Sequence, residues 1–198
     1  GRTEQTKRYI NQAFRFLFMF LVPISFVMAL TSSNLVSLLY SSRYLAAGSP
    51  LEILAFGYAF ISFLVVIIYI LMANNDFKET IILVALLVVI DIILCGVLIP
   101  SFGLCGAAWA TTSTCFLGFI SGMSLLWKKF RTLVGLRSFL KILIASLLVS
   151  LIFIISASGI KLIFLYAIAG VLYIGLLLLF KEIKDEDIAI LKGLVGRG

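Results

Sequence analysis

The chain has 198 residues, of which 63% are apolar and 13% charged, with a formal net charge of +7 and a mean hydropathy of +1.21. Soluble domains carry about 25% charged residues, so the composition excludes an ordinary soluble protein and indicates an integral membrane protein. The chain contains no histidine, which excludes imidazole metal ligands and histidine-based acid–base catalysis. We therefore predict a protein that is not an enzyme and holds no cofactor or metal.

Six apolar stretches are long enough to cross a bilayer as helices, because a spanning helix needs about 20 residues. The alternating pattern of an outer-membrane barrel is absent. The sequence thus predicts an all-α, polytopic membrane protein with a single domain over residues 1–198. The predicted helices comprise residues 16–40, 53–73, 80–99, 104–127, 139–159 and 162–180, followed by a short interfacial helix at 185–195.

The distribution of basic residues predicts the orientation of the chain in the membrane. Fourteen of the sixteen Lys and Arg residues fall on alternate connections that include both termini, and only Arg43 and Lys161 fall on the other side. Cytoplasmic segments of membrane proteins carry this excess of positive charge. We therefore predict cytoplasmic N- and C-termini, and we attribute the basic balance to topology and anionic lipid contact instead of nucleic-acid binding.

The uncharged segment LIPSFGLCGAAWAT, residues 98–111, predicts a tight reversal followed by a packing helix. Pro100 lacks a backbone donor, so the third helix is expected to end near Ile99. Small residues at a helix surface allow close backbone approach in a membrane. The glycines predicted to serve this packing are Gly103, Gly106, Gly118 and Gly122.

This segment, Pro23 in the first helix and the closing KDEDIAIL together resemble a known transporter family. The chain is similar to the C-terminal lobe of the polysaccharide transporter branch of the multidrug/oligosaccharidyl-lipid/polysaccharide flippase superfamily. The resemblance implies two lobes around a central cavity in the cytoplasmic (inner) cell membrane, which export a lipid-linked oligosaccharide or polysaccharide precursor by alternating access. The implied partners are membrane lipids, the lipid-linked sugar, and either an N-terminal lobe or a second copy.

Four side chains are candidates for binding substrate or an ion. Asp91 lies midway along the third helix, where a carboxylate costs about 2.5–3.5 kcal/mol to insert, and it would serve either as a cation or proton site or as an interhelical hydrogen-bonding group. Arg8 and Arg15 could hold a diphosphate bidentately or merely mark the cytoplasmic side. Asn34 belongs to a polar run that, with Pro23, would form a gating kink or bond to its own backbone.

Three other functions remain open at this stage. A multidrug or cation antiporter of the same superfamily would need acidic residues in its cavity, and Asp91 is the one intramembrane carboxylate. The packing glycines would also suit a non-catalytic assembly subunit. An integral glycosyl or acyl transferase would need clustered carboxylates near a membrane face, whereas the Asp and Glu residues other than Asp91 lie in loops and termini.

Overall fold

The computed structural model describes residues 2–40, 42–131, 136–154 and 161–179, which are almost entirely helical. We number its α-helices α1 (Arg2–Leu39), α2 (Gly48–Ala73), α3 (Phe77–Phe130), α4 (Leu136–Ser150) and α5 (Lys161–Leu179). Short 3-10 helices, Ser42–Ala47 and Leu151–Ile154, follow α1 and α4. Within the described ranges three helices are long and apolar enough to span a membrane, which are α1 to α3. The predicted all-α, multi-pass membrane class is confirmed.

α1 and α2 form an antiparallel pair with aromatic side chains along its seam. Phe18 packs against Phe63 with ring centroids 4.5 Å apart, and Phe26 packs edge-on against Phe56 at 5.4 Å. Because these pairs fix the register, the start of α1 lies beside the end of α2. We call this end of the bundle, which holds Arg2 and Ala73, the basal end; the opposite, apical end holds Leu39 and Gly48.

α3 is a hairpin of two helical arms. A straight helix of its 54 residues would be about 80 Å long, far more than the hydrocarbon thickness of about 30 Å. Gly103 breaks the helix with φ 57° and ψ −130°, a conformation available almost only to glycine. The first arm (77–102) therefore ascends to the apical end, and the second arm (104–130) descends to the basal end. There Lys129 forms ion pairs with Asp76 and Glu79.

The first arm of the hairpin ends later than the sequence predicted, although the reversal itself falls within the predicted turn. Helical structure continues through Pro100 to Phe102 instead of ending near Ile99. Proline removes one backbone donor, a small loss at the last turn of a helix, and it does not itself reverse the chain. The reversal needs a positive φ, so it falls at Gly103, where a side chain would be strained.

Other helix bounds also differ from the predicted ranges. α1 begins at Arg2 instead of residue 16, and α2 begins at Gly48 instead of residue 53. Hydropathy marks only the part of a helix that lies inside the membrane. α1 is about 57 Å long and continues beyond the membrane through a polar segment that contains a Lys7–Glu4 ion pair. The predicted interfacial helix at 185–195 lies outside the described residues.

α4 packs against α1, and α5 packs against α4, which completes one apolar core. Phe139 of α4 contacts Phe18 edge-on at 4.9 Å, and Ile142 and Ala145 are fully buried. α5 contributes Ala169, Tyr173 and Leu177 to the same core. The core therefore lies between α1, α2 and α4, while α5 and the first arm of α3 occupy its periphery.

Candidate functional site

The first turns of α1 carry the basic candidates. Arg8 is exposed at the basal end, beside a polar hollow of about 520 Å³. Arg15 lies two turns deeper and is buried, with 9% of its surface exposed. Its guanidinium carbon lies 5.8 Å from the centre of the Phe16 ring. A buried guanidinium on a membrane helix is costly to place, so its position beside the apolar face of α1 is a candidate binding feature.

An apolar cavity of about 650 Å³ begins at Phe16 and runs between α1 and α5. It extends along α1 as far as Leu35, a distance of about 28 Å along the helix axis. Val149 of α4 also lines it. The cavity thus traverses most of a bilayer's hydrocarbon thickness, and almost all of its accessible lining is apolar.

Two tyrosines of α5 form hydrogen bonds with α1 across this cavity. The hydroxyl of Tyr166 shares a hydrogen bond of 2.7 Å with Thr31 Oγ1. The hydroxyl of Tyr173 donates a 2.8 Å hydrogen bond to the carbonyl of Met19. Each bridge spans the width of an aromatic side chain, so the tyrosines hold α5 at a distance from α1 and keep the cavity open between them.

The proposed gating elements lie on α1 beside the same cavity. Pro23 lines the cavity, and the α-helix nevertheless runs without interruption from Arg2 to Leu39. Thr31 donates to the carbonyl of Val27 and so accepts from Tyr166, and Ser25 donates to the carbonyl of Leu21. Asn34 is half-buried toward the apical end. These hydroxyls return hydrogen bonds to their own helix, which keeps a polar run inside a membrane helix satisfied.

Asp91 lies on the seam between the two arms of α3. Buried residues of the first arm recur at Thr80, Leu83 and Leu87, and the half-buried Asp91 continues this face one turn later. The thiol of Cys95 lies 4.0 Å from its Oδ2 atom. Oδ1 is buried and has no hydrogen-bond partner among the residues that the structure describes.

Three of the four predicted packing glycines, Gly106, Gly118 and Gly122, lie where helices approach closely, whereas Gly103 has no atom within 4 Å of an added Cβ and instead forms the turn of the hairpin. A Cβ atom on Gly106 would stand 2.1 Å from the Leu98 carbonyl oxygen across the hairpin. On Gly118 it would meet Leu64 of α2 and Leu87 of the first arm, each at 2.8 Å, and on Gly122 it would meet Ile67 at 2.9 Å. The second arm is therefore packed against both the first arm and α2.

The structure separates the candidates into two regions. Pro23 lines the cavity and Arg15 lies next to Phe16, another lining residue, whereas Asp91 lies in the hairpin of α3. Sequence reasoning missed Tyr166 and Tyr173, although a spacing of seven residues places two hydroxyls on one face of an otherwise apolar helix. Within the described ranges no three Asp, Glu or Cys side chains group closely enough to hold a metal ion.

Comparison with known proteins identifies the fold. No family model matches the chain, and no curated protein sequence matches it. Among solved structures, "Lipid II flippase MurJ, inward closed conformation" matches 90% of the chain with a TM-score of 0.81 at 17% sequence identity. The chain spans 40% of the length of that protein. It therefore shares the fold of part of a membrane flippase.

Proposed function

We propose that this chain forms the C-terminal lobe of a flippase that exports lipid-linked oligosaccharide or polysaccharide precursors. The observation that carries the proposal is the fold shared with a lipid II flippase over 90% of the chain. Since the chain spans 40% of that structure, a further lobe would be needed to enclose a central cavity. That lobe would come from the same polypeptide or from a second copy of the chain.

The arrangement along α1 suits an amphiphilic substrate. A lipid-linked sugar carries a diphosphate next to a long hydrocarbon chain. Arg15 lies next to Phe16, which lines the basal end of the apolar cavity, and Arg8 lies two turns further toward the basal end. Guanidinium groups bind phosphate oxygens in pairs of parallel hydrogen bonds, and the cavity offers apolar surface to the chain. We assign the diphosphate to the arginines and the hydrocarbon chain to the cavity.

The basal end would face the cytoplasm of the cell membrane. Lys7, Arg8, Lys128 and Lys129 all lie there, in agreement with the bias of basic residues toward cytoplasmic segments. Both termini would then be cytoplasmic. The substrate would enter from the inner leaflet with its headgroup beside the arginines, and alternating access would follow from differential binding of that headgroup by the two conformations.

Two alternatives give different roles to the α3 hairpin. A multidrug or cation antiporter of the same superfamily would use Asp91, whose buried Oδ1 favours an ion-linked role. A non-catalytic assembly subunit would use the glycine-rich second arm to contact a partner. Neither accounts for a buried arginine next to the basal end of an apolar cavity about 28 Å long.

Transport in proteoliposomes tests the proposal. The full-length protein that carries residues 1–198 would be reconstituted with a fluorescent polyprenyl-diphosphate oligosaccharide, and the outward rate would be measured by chemical quenching. Arg15→Ala should slow transport by about tenfold or more, because a charge-assisted hydrogen bond contributes about 1.5–3 kcal/mol. Arg15→Lys, which keeps the charge, should retain an intermediate rate.

Arg43→Ala is the matched control, because Arg43 is exposed at the apical end. Each variant would be checked for a monodisperse elution profile and an unchanged melting temperature. If a folded Arg15→Ala protein transported the substrate as fast as the Arg43→Ala protein, the assigned diphosphate site would be wrong.

A further inference from the structure

One face of α2 carries two exposed tyrosines at membrane depth. Tyr58 and Tyr69 are 65% and 67% exposed. They lie about three helical turns apart, so both rings project from the same face, separated by about 17 Å along the helix axis. The buried residues of α2 pack against α1 and α3. The remaining face is largely uncovered within the described ranges, and we call it the tyrosine face (Tyr58, Ser62, Val65 and Tyr69).

Tyr58 lies too deep for an aromatic residue of the membrane interface. Glu52, the charged residue of α2, lies about 9 Å nearer the apical end, and the basal end at Ala73 is about 22 Å away. Interfacial tyrosines lie at headgroup level, where the hydroxyl reaches water. The Tyr58 hydroxyl forms no hydrogen bond with any residue that the structure describes. An unpaired hydroxyl is costly in hydrocarbon, so this one needs a partner from elsewhere.

The other exposed faces at this depth have a different composition. The exposed residues at positions 81–97 of the first arm of α3 and 164–179 of α5 are aliphatic or glycine, apart from Phe164. Such faces suit lipid tails, which offer no hydrogen-bonding groups. The tyrosine face is therefore chemically distinct from the lipid-contacting surfaces of the same lobe, and its hydroxyls indicate contact with a polar ligand.

The register of α1 and α2 relates the tyrosines to the arginines. The phenylalanine contacts between these antiparallel helices fix the register. Counting from those contacts puts Tyr69 at a depth between Arg8 and Arg15. Tyr58 lies about 17 Å closer to the apical end. A sugar attached to a diphosphate at the depth of the arginines would thus reach Tyr69 first and extend toward Tyr58.

The chemistry of the tyrosine face favours a neutral carbohydrate. Between Glu52 and Asp76 the chain has no charged side chain, so this face does not attract the diphosphate itself. A pyranose ring has a C–H face that packs on the electron-rich face of an aromatic ring, and its hydroxyls bind phenol oxygens. Ser62 donates to the Tyr58 carbonyl at 2.7 Å, and its hydroxyl oxygen still accepts a hydrogen bond. The face thus offers aromatic surface together with hydroxyl groups.

We propose that Tyr58 and Tyr69 each stack on a pyranose ring of the lipid-linked sugar and form two sugar subsites along α2. Tyr69 takes the sugar next to the diphosphate, and Tyr58 takes a sugar further along the oligosaccharide. Stacking recognises the C–H faces that many pyranoses share, so the subsites tolerate different sugars. The inference rests on the proposed function and adds the part of the protein that binds the saccharide.

Equilibrium binding to the full-length protein in detergent tests the inference. The probes are three polyprenyl diphosphates with the same fluorescent label on the hydrocarbon chain: one without sugar, one with a single glucose and one with a linear glucose tetrasaccharide. The wild-type Kd should fall about threefold from the sugar-free lipid to the glucose lipid, because one aromatic contact is added. It should fall about threefold again for the tetrasaccharide lipid, which reaches the second ring.

Leucine variants separate the two subsites. Tyr69→Leu should remove the gain from the first glucose, and Tyr58→Leu should remove the further gain from the tetrasaccharide. Both should leave the Kd of the sugar-free lipid unchanged. Tyr58→Phe and Tyr69→Phe keep the ring and should retain most of each gain. Tyr44→Leu, which removes an exposed tyrosine at the apical end, should change none of the three Kd values.

Each gain is a ratio between two lipids on one protein sample, so a partial loss of folded protein does not imitate the loss of a subsite. If both leucine variants keep both gains, the tyrosines do not bind sugar and the inference is overturned. If the leucine variants weaken the binding of all three lipids equally, the tyrosine face contacts another lobe of the protein, which also overturns the inference.

The remaining outcomes distinguish the subsites from the flippase proposal. If the wild-type protein transports the tetrasaccharide lipid but binds all three lipids equally, the flippase proposal stands and the sugar subsites are wrong. If the wild-type protein neither binds nor transports any of the three lipids, the flippase proposal is wrong, and the subsites are wrong with it.

Discussion

Lys129, in the last turn of α3, forms an ion pair with Asp76, the residue immediately before that helix. This pair closes the open end of the hairpin whose other end is the turn at Gly103. Asp76 also accepts a 2.7 Å hydrogen bond from the side-chain amide of Asn74. The hairpin is thus fixed at its tip by a glycine and at its base by charges.

The first prediction concerns the base of the hairpin. Lys129→Ala should lower the melting temperature by about 1–4 °C, because Asp76 and Glu79 would lose their shared cation. The effect should shrink at high salt, which screens exposed charges. Lys128→Ala, a change at the exposed neighbouring lysine, should have a smaller effect. Equal shifts for the two variants in a thermal unfolding assay would argue against the ion pairs.

A second prediction follows from the ionisation of Asp76. The hydrogen bond from Asn74, together with the bond and charge of Lys129, lowers the pKa of the Asp76 carboxyl below its ordinary value. A depressed pKa in the folded state stabilises the protein above the unfolded-state pKa, about 3.9, and this contribution is lost as the pH falls toward the folded-state value. The wild-type protein should therefore lose more stability than Asn74→Ala between pH 5 and pH 3, in titrations followed by circular dichroism.

A third prediction tests the close approach at Gly106. Gly106→Ala should reduce folded yield and lower the melting temperature markedly, because its Cβ would stand 2.1 Å from the backbone oxygen of Leu98. Gly96→Ala is the control: it has the same chemistry on the same helix, with no atom within 4 Å of the new methyl group. This control should be neutral or stabilising by up to about 1 kcal/mol. Equal effects of the two variants would show that the arms are not in contact there.

A fourth prediction concerns the bridge between α1 and α5. Tyr173→Phe removes the hydroxyl that donates to the Met19 carbonyl and should destabilise the protein by about 0.5–1.5 kcal/mol. Tyr58→Phe changes an exposed tyrosine and should leave stability unchanged. The two free energies of unfolding would be compared in a mild denaturing detergent series. An unchanged free energy for Tyr173→Phe would argue against the bridge.

The fold was predictable from the sequence to the extent that hydropathy and backbone chemistry determine it. Long apolar runs must form helices in lipid, and the glycine-rich segment after Pro100 marked the reversal within three residues. The start of α1 was not predictable in the same way, because a helix that leaves the membrane loses its hydropathy signal while its hydrogen bonds continue. The predicted helix end near Ile99 was wrong because Pro100 removes only one backbone hydrogen bond, and that loss does not end the helix.

The candidate site residues were likewise predictable from the sequence only in part. A lone intramembrane aspartate was recognisable from the sequence, but its position on the seam between the two arms of α3 was not, because it depends on the register of the hairpin. Arg15 was indistinguishable from the other basic residues until its burial was known. Long-range pairings such as Thr31 with Tyr166, 135 residues apart, arise only from tertiary packing.

The central claim is tested most directly by measuring translocation of a lipid-linked sugar by the full-length protein. Proteoliposomes would carry a fluorescent polyprenyl-diphosphate oligosaccharide, and protein-free liposomes and liposomes with an unrelated membrane protein would serve as controls. A flippase should move the labelled lipid between leaflets at a rate that is proportional to the amount of protein and inhibited by unlabelled substrate. A rate equal to that of both controls, from folded and correctly oriented protein, would contradict the account.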